Sequence, residues 1–368
     1  MILTHLNLQN FRSYKKADFT FSPDLTIIVG PNTAGKTNLM EAVTLLAKGK
    51  TSRVEKDTQA VCFDTEIARV KGVITGSASE SLEILNQVQD DKNELEVVLT
   101  NGMVAGVAAP LRKFLVNGVP KRRVDFASHL SVVSFSPSDL DVISGSPSLR
   151  RNFLDDTLEQ VDRQYRIALI TYTKALRQRN ALLDKVKETG QRFEQQFAYW
   201  DELLITNGQY ITQKREEVIV YINSAIHDVF ALSIIYDHSK ISRDRLLQYE
   251  HAEQASGVTL VGPHRDDIII DMMVNSAKQN ESRNVKSFGS RGQQRLAILQ
   301  LKMLQLIYME EKNGQRPLLL LDDIFSELDS NHITLVQGLL DKQQTIMTTT
   351  HKEFLDKKIL NSAILIEL

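Results

Sequence analysis

The 368-residue chain has little cysteine, tryptophan or proline: one Cys62, one Trp200 and 8 prolines. A lone cysteine excludes a disulfide framework and a cysteine-based zinc site, and Cys62 reads as a small buried apolar residue. No apolar run approaches the roughly 18 residues that a membrane span needs. Residues 1–10 have neither a basic n-region nor a long apolar stretch, so no secretory signal is expected and the chain reads as cytoplasmic. Neither charge sign is in excess, since 44 Lys and Arg stand against 46 Asp and Glu for a net charge of −2. That balance excludes a uniformly basic nucleic-acid coat but leaves room for local basic patches. There is no internal repeat and no low-complexity tract. The 42% hydrophobic content suffices for a full core in one large or two modest domains.

Strand-like alternation marks residues 2–8 and 18–21, and the apolar run 26–29 suits a buried strand. Leu39, Met40, Val43, Leu46 and Ala47 then recur at helical spacing. Further strand-like pieces lie at 66–74, 82–85, 94–99 and 130–135, with turn signals at Asn101-Gly102 and Asn117-Gly118. The texture changes after Pro147. Residues 149–255 are charge-rich, poor in glycine and proline, and helical in period, with stripes at Phe193, Phe197, Trp200, Leu204 and at Val218, Ile222, Ala225, Val229. Gly190 and Gly208 are the expected breaks. This predicts an antiparallel helical arm, or alternatively a separate helical bundle, whose aromatic stripe is packing core. Strands are expected again at 258–261, 267–274, 318–321 and 345–349, with an edge strand at 363–368 and a helix after Gly292. The expected α/β architecture is a nucleotide-binding head, residues 1–148 and 256–368, split by the helical arm 149–255.

Gly30, Pro31, Asn32, Thr33, Ala34, Gly35, Lys36 and Thr37 fit the pattern G-x-x-x-x-G-K-[ST] between a strand and a helix. The glycines let successive backbone N–H groups face phosphate oxygens, and the helix N-terminus adds its positive end. Lys36 is placed to bridge the β- and γ-phosphates and Thr37 to give its hydroxyl to Mg²⁺. The apolar strand 318–321 ends in Asp322, expected to hold Mg²⁺, and Asp323, expected to orient or deprotonate the attacking water. Aspartate reaches one methylene less far than glutamate, so hydrolysis should be slow. Ser290, Gly292 and Gln293 open a helix that Ser290 can cap. A Ser-x-Gly-Gln segment ahead of such an acidic strand suggests an ATPase in which one subunit closes over nucleotide held by another. His351 follows a strand end, where it either senses the γ-phosphate or is an ordinary surface residue.

Taken together these residues resemble one family nearly end to end: RecF, a bacterial repair ATPase related to the SMC and ABC types. The resemblance is carried by Leu6-Asn-Leu-Gln-Asn-Phe-Arg-Ser-Tyr14, the phosphate loop with Asn38, and Phe135-Ser-Pro-Ser-Asp-Leu140. Gly145-Ser-Pro-Ser-Leu-Arg-Arg-Asn-Phe-Leu-Asp155, Gly262-Pro-His-Arg-Asp-Asp267, Ser290–Arg295 and Ser326-Glu-Leu-Asp329 continue it. Arg-Arg-x-Phe-Leu-Asp and Gly-Pro-His-Arg-Asp-Asp discriminate it from transporter ATPase subunits. The interval from Thr37 to Ser290 is also longer than a transporter subunit needs, and no nuclease module is expected after His351.

The resemblance implies an ABC/SMC-like head whose ATP-bound homodimer clamps DNA at single-strand/double-strand junctions. It further implies cooperation with RecO and RecR, placement of RecA, and weak ATP hydrolysis that releases the dimer. By the same resemblance, Gly30 to Asn38 bind ATP, Asp322 holds Mg²⁺ and Asp323 is the catalytic carboxylate. Ser290, Gly292 and Gln293 act across the dimer, and Ser326–Asp329 couples the two sites. Two departures stand out: Thr33 sits where related loops often have glycine or another small residue, and no sensing glutamine lies near Phe135–Pro137. Candidate DNA-contacting cations are Lys121, Arg122, Arg123, Arg150, Arg151, Arg163, Arg166, Lys174, Arg177 and Arg179. Arg151 and Arg265 can equally be ion-pair partners of nearby aspartates.

Overall fold

The computed structural model describes residues 1–51, 57–76, 92–192, 194–275, 280–324, 338, 340, 342–350, 360 and 362–368. In chain order it begins β1 (Ile2–Phe11), β2 (Tyr14–Thr20), β3 (Leu25–Val29), α1 (Lys36–Lys48), β4 (Ile67–Thr75) and β5 (Lys92–Thr100). Then come β6 (Met103–Val104), β7 (Val107–Ala108), β8 (Arg112–Val116), β9 (Val119–Lys121), α2 (Arg123–Phe126) and β10 (Val132–Phe135). The middle holds α3 (Asp141–Ser144), α4 (Pro147–Val161), α5 (Arg163–Thr189), α6 (Glu194–Ser224), β11 (Leu232–Asp237), α7 (Arg243–Gln248) and α8 (Glu250–Ser256). It continues with β12 (Asp267–Asn275), β13 (Asn280–Asn284), α9 (Val285–Phe288) and α10 (Arg291–Asn313). The last strands are β14 (Leu318–Asp322), β15 (Thr345–Thr349) and β16 (Ile364–Glu367). The expected piece at 82–85, the stripe residue Phe193, His351 and Ser326–Asp329 all lie outside the described residues.

Contacts divide the chain into two compact units, Met1–Ser138 with Met309–Leu368, and Asp139–Tyr308. The second unit is thus broader than the 149–255 arm. In the first, an antiparallel sheet of order β2-β1-β4-β5-β8-β9 and a parallel sheet of order β10-β14-β15-β3-β16 both pack on α1. Alternation in β1 and β4 sends Leu6, Leu8, Ala68 and Val70 inward and leaves charged residues outside. Strands β3 and β15 are buried at every residue, as parallel strands covered on both faces must be. Helix α1 is buried almost all round, which a one-faced amphipathic helix is not, and even its Glu41 is enclosed. That carboxylate is neutralised by Arg12, whose guanidinium donates to both oxygens at 3.0 and 2.7 Å. Asn117 and Gly118, with φ of 52° and 75°, form the expected two-residue turn between β8 and β9.

The second unit is built on the helical pair α5–α6. Tyr210 reaches back to Asp162 at the start of α5 and Arg179 of α5 to Asp201 of α6, the nested pairing of antiparallel helices, while Arg215 ties α6 to Asp155 of α4. Three sequence expectations are corrected here. Gly190 does end α5 in the left-handed conformation, but Gly208 lies inside α6 without breaking it. A Cβ there would meet Ile241 Cγ2 at 2.8 Å and Tyr172 Cε2 at 3.0 Å, so this glycine serves close packing. Helix α6 stops at Ser224, leaving Ala225 and Val229 beyond it, and a strand, β11, pairs antiparallel with β12 where helix was expected. Residues 258–261 are not a strand: Asn180, Glu253 and Ser239 side chains accept from the backbone N–H groups of Thr259, Leu260 and Gly262. Side chains take the place of a ladder neighbour. Among the described residues, no helix is long and apolar enough to cross a membrane.

Candidate nucleotide site and its surroundings

Because all five strands of the buried sheet are parallel, their C-terminal ends lie at one edge, where open sheets of this kind bind ligands. The phosphate loop leaves β3 there, and Asp322 and Asp323 end β14 there, with only β15 between. Pro31, Asn32, Thr33, Gly35, Lys36, Thr37, Asn38, Asp322 and Asp323 line one open cleft of about 240 Å³. Gly30 is packed against Leu368 and Ala34, and Gly35, at φ 100°, lies against Tyr14 and Ser13. A Cβ at Gly35 would stand 2.9 Å from the Tyr14 hydroxyl. Thr33 takes φ 76°, a region where a β-branched residue is strained, so the glycine-like position keeps its backbone shape despite the side chain.

The buried Lys36 ammonium donates to Gly30 O at 2.6 Å and Pro31 O at 3.1 Å, holding the cation over the loop. The Thr37 hydroxyl stands 3.4 Å from Asp322 Oδ1. Hydroxyl and carboxylate together form an all-oxygen donor pair that suits Mg²⁺. Among the described residues no three His, Cys, Asp or Glu converge on one point, so such an ion would complete its shell from phosphate oxygens and water.

Several site residues escaped the sequence reading. The Tyr14 hydroxyl donates to Gly35 O at 3.1 Å, and burial pushes its pKa up to about 12, so it stays a donor. Asn38 Nδ2 donates to Ser13 Oγ at 2.9 Å. The β1–β2 turn therefore braces the phosphate loop, a role that nothing in the loop pattern itself announces. Thr348, buried at the end of β15, bonds to both acidic residues. The available signal was an alcohol at the C-terminal end of a buried parallel strand.

Ser290 and Gln293 lie in the other unit and form a reciprocal capping box. Gln293 N–H donates to Ser290 Oγ at 3.2 Å, and Ser290 N–H donates to Gln293 Oε1 at 2.8 Å. Ser290, Arg291 and Gly292 are exposed, and a Cβ at Gly292 would meet nothing nearer than 3.9 Å.

The two discriminating motifs meet in a buried ionic lattice. Arg150 grips Asp267 through two bonds of 2.6 and 2.9 Å, and Arg151 donates to Asp266 O at 2.7 Å. Burial pushes Asp267 up, but the Arg150 bond, the Ile268 N–H and both arginine charges outweigh it and hold the carboxyl low. Arg215 binds Asp155 through both oxygens and Asp266 at 3.0 Å. His264 donates from Nε2 to Thr259 O at 3.0 Å and accepts the Tyr172 hydroxyl on Nδ1 at 2.7 Å. Burial and the nearby Arg265, Arg151 and Arg179 charges push His264 down to about 4.

Three candidate DNA contacts are corrected by burial. Arg150, Arg166 and Arg179 are enclosed, bound to Asp267, the Glu159 carbonyl, and Asp201 with Glu253. Arg123 is half-buried and donates to Lys48 O. Lys121, Arg122, Arg163, Lys174 and Arg177 are exposed.

A phosphate loop entering a helix that both sheets enclose, with an acidic strand end one strand away, defines an ATPase head of the ABC/SMC type. The RecF/RecN/SMC N terminal domain family matches residues 2–366. The DNA replication and repair protein RecF of Cyanothece sp. is 33% identical over 393 residues, covering 100% of this chain and 96% of that protein. The protein of the same name from Roseiflexus castenholzii is 32% identical, covering 99% and 97%. A solved structure of the recombination mediator protein RecF-ATP in the RecFOR pathway aligns with TM-score 0.82 at 29% identity, covering 96% and 93%. Its RecF-ATPrS counterpart gives 0.80 at 30%, covering 96% and 94%. The chain belongs to the RecF family.

Proposed function

We propose that this chain is an ATP-switched DNA clamp acting in replication and recombinational repair in the cytoplasm. Its relatives include DNA replication and repair proteins, and the solved structures it resembles are of RecF-ATP and RecF-ATPrS. The observation that carries the reading is the exposed cap of α10. Ser290 Oγ accepts a hydrogen bond from its own helix, so its single proton is left to give to an outside anion. In a homodimer that proton, the Gly292 backbone N–H, the Gln293 side-chain amide and the α10 N-terminus would meet the γ-phosphate of ATP held by a second copy's Gly30–Asn38. ATP then favours the dimer because it alone supplies this contact, which is the differential affinity a switch requires.

In this reading Lys36 leaves its carbonyl partners for the phosphates, and Asp323 orients the attacking water. Mg²⁺, held through Thr37 and Asp322, would supply charge neutralisation to the phosphates. The short reach of aspartate keeps hydrolysis slow, and loss of the γ-phosphate opens the dimer. His351 remains a proposed γ-phosphate sensor. Residues 149–255 act as the arm on a head made of 1–148 and 256–368. Lys121, Arg122, Arg163, Lys174 and Arg177 would track DNA phosphates, doubled by dimerisation into a surface that a near-neutral monomer lacks. Single-strand/double-strand junctions are the proposed substrate, with RecO and RecR as partners in placing RecA.

Binding to gapped and plain duplex DNA, with ATP, ADP or no nucleotide, tests this. ATP-dependent, salt-sensitive preference for the gapped substrate is expected. Equal binding in all three nucleotide states would overturn it.

A further inference from the structure

Thr348 lies fully buried in β15, opposite Asp322 of β14 on one side and Ile28 of β3 on the other. Its hydroxyl stands 2.8 Å from Asp322 Oδ1 and 3.0 Å from the backbone nitrogen of Asp323. The direction of both bonds is forced. The Asp323 N–H can only donate, so the threonine oxygen accepts it and gives its one proton to the Asp322 carboxylate.

We infer that Thr348 is a positioning residue that sets both aspartates at once, a role resting on the proposed duties of Asp322 and Asp323. Asp322 Oδ1 receives the hydroxyls of Thr348 and Thr37, so one carboxylate oxygen is committed to the protein and the side chain is fixed in rotation. Its Oδ2 is then the oxygen presented to a cation or a cation-bound water. Asp323 follows at φ 52°, in the left-handed region, where the chain leaves the strand and its N–H cannot continue the ladder. Thr348 supplies the acceptor that this turn needs. One buried hydroxyl thereby couples the side chain of the metal-holding residue to the backbone of the water-orienting residue. Valine would fill the same volume but leave the Asp323 N–H and Asp322 Oδ1 without this partner.

The test is Mn²⁺ binding in the presence of a non-hydrolysable ATP analogue, read by electron paramagnetic resonance, beside analogue binding without metal. Thr348→Val should weaken Mn²⁺ by about tenfold or more and leave metal-free analogue binding within about twofold, as loss of a charge-assisted hydrogen bond implies. Thr348→Ser, which keeps the hydroxyl, should return most of the Mn²⁺ affinity. Thr348→Ala replaces the valine variant if that protein does not fold. Wild-type Mn²⁺ affinity in the valine or alanine variant, or equal loss of metal-dependent and metal-free binding, would overturn the role. Wild-type protein that binds neither analogue nor Mn²⁺ would instead overturn the ATPase reading on which it rests.

Discussion

Thr33 and His264 show how single residues carry strain and charge that sequence pattern alone does not reveal. Thr33 holds φ 76° in the phosphate loop, so Thr33→Gly should relieve local strain. Glycine loses more chain entropy on folding, and the net gain in unfolding free energy is expected to be about 1 kcal/mol, seen as a raised urea midpoint. An unchanged or lowered midpoint would mean the loop is not strained there. His264 is held neutral, with its pKa down at about 4 from an ordinary 6.5. Between those values the unfolded chain binds the proton and the folded chain does not, so stability rises with pH across that window. The contribution is fully present above about pH 6.5, is lost as pH falls through 4, and amounts to up to about 3 kcal/mol. His264→Gln should shrink the stability difference between pH 7 and pH 4.5. Unfolding curves that keep the wild-type pH dependence would contradict this.

At the scale of elements, the contrast between Gly190 and Gly208 is instructive. Both look alike as breaks in a helical pattern, yet one caps α5 and the other lies within α6 beneath Ile241, Tyr172 and Pro263. Gly208→Ala gains about 1 kcal/mol of helix propensity but overpacks that contact, and a net loss of about 1 kcal/mol or more is expected in urea unfolding. Net stabilisation would show the contact to be slack.

The parallel strands and the phosphate loop were legible because continuous apolar runs and a fixed glycine spacing are local signals. Strand β11 was not, because the apolar period of α6 runs on through Val229 and masks the alternation of Leu232, Ile234 and Tyr236. Residues 258–261 looked like a strand, but their hydrogen bonds go to side chains distant in sequence. For the same reason Arg150 and Arg179 looked like surface cations: their partners Asp267 and Asp201 sit 117 and 22 positions away. Thr348 was passed over because its two partners lie on a strand it meets only in the folded sheet.

For the whole molecule, the family-discriminating motifs turn out to serve architecture. Arg150 to Asp155 and Gly262 to Asp267 lock α4, α6 and β12 into one unit through Arg215, Asp155 and Asp266. In the proposed function the switching chemistry falls to two smaller sets: the phosphate loop with its aspartates, and the Ser290 cap of α10. Asp323→Asn, which keeps the shape but not the base, should prolong the lifetime of an ATP-bound complex on DNA. Release from DNA as fast as wild type would remove Asp323 from the proposed timing. Sedimentation velocity of the full chain with ATP, with ADP and without nucleotide decides whether ATP joins two copies through Ser290. The mass should double with ATP alone and stay monomeric with ATP in Ser290→Arg; a wild-type mass that does not respond to ATP would contradict the account.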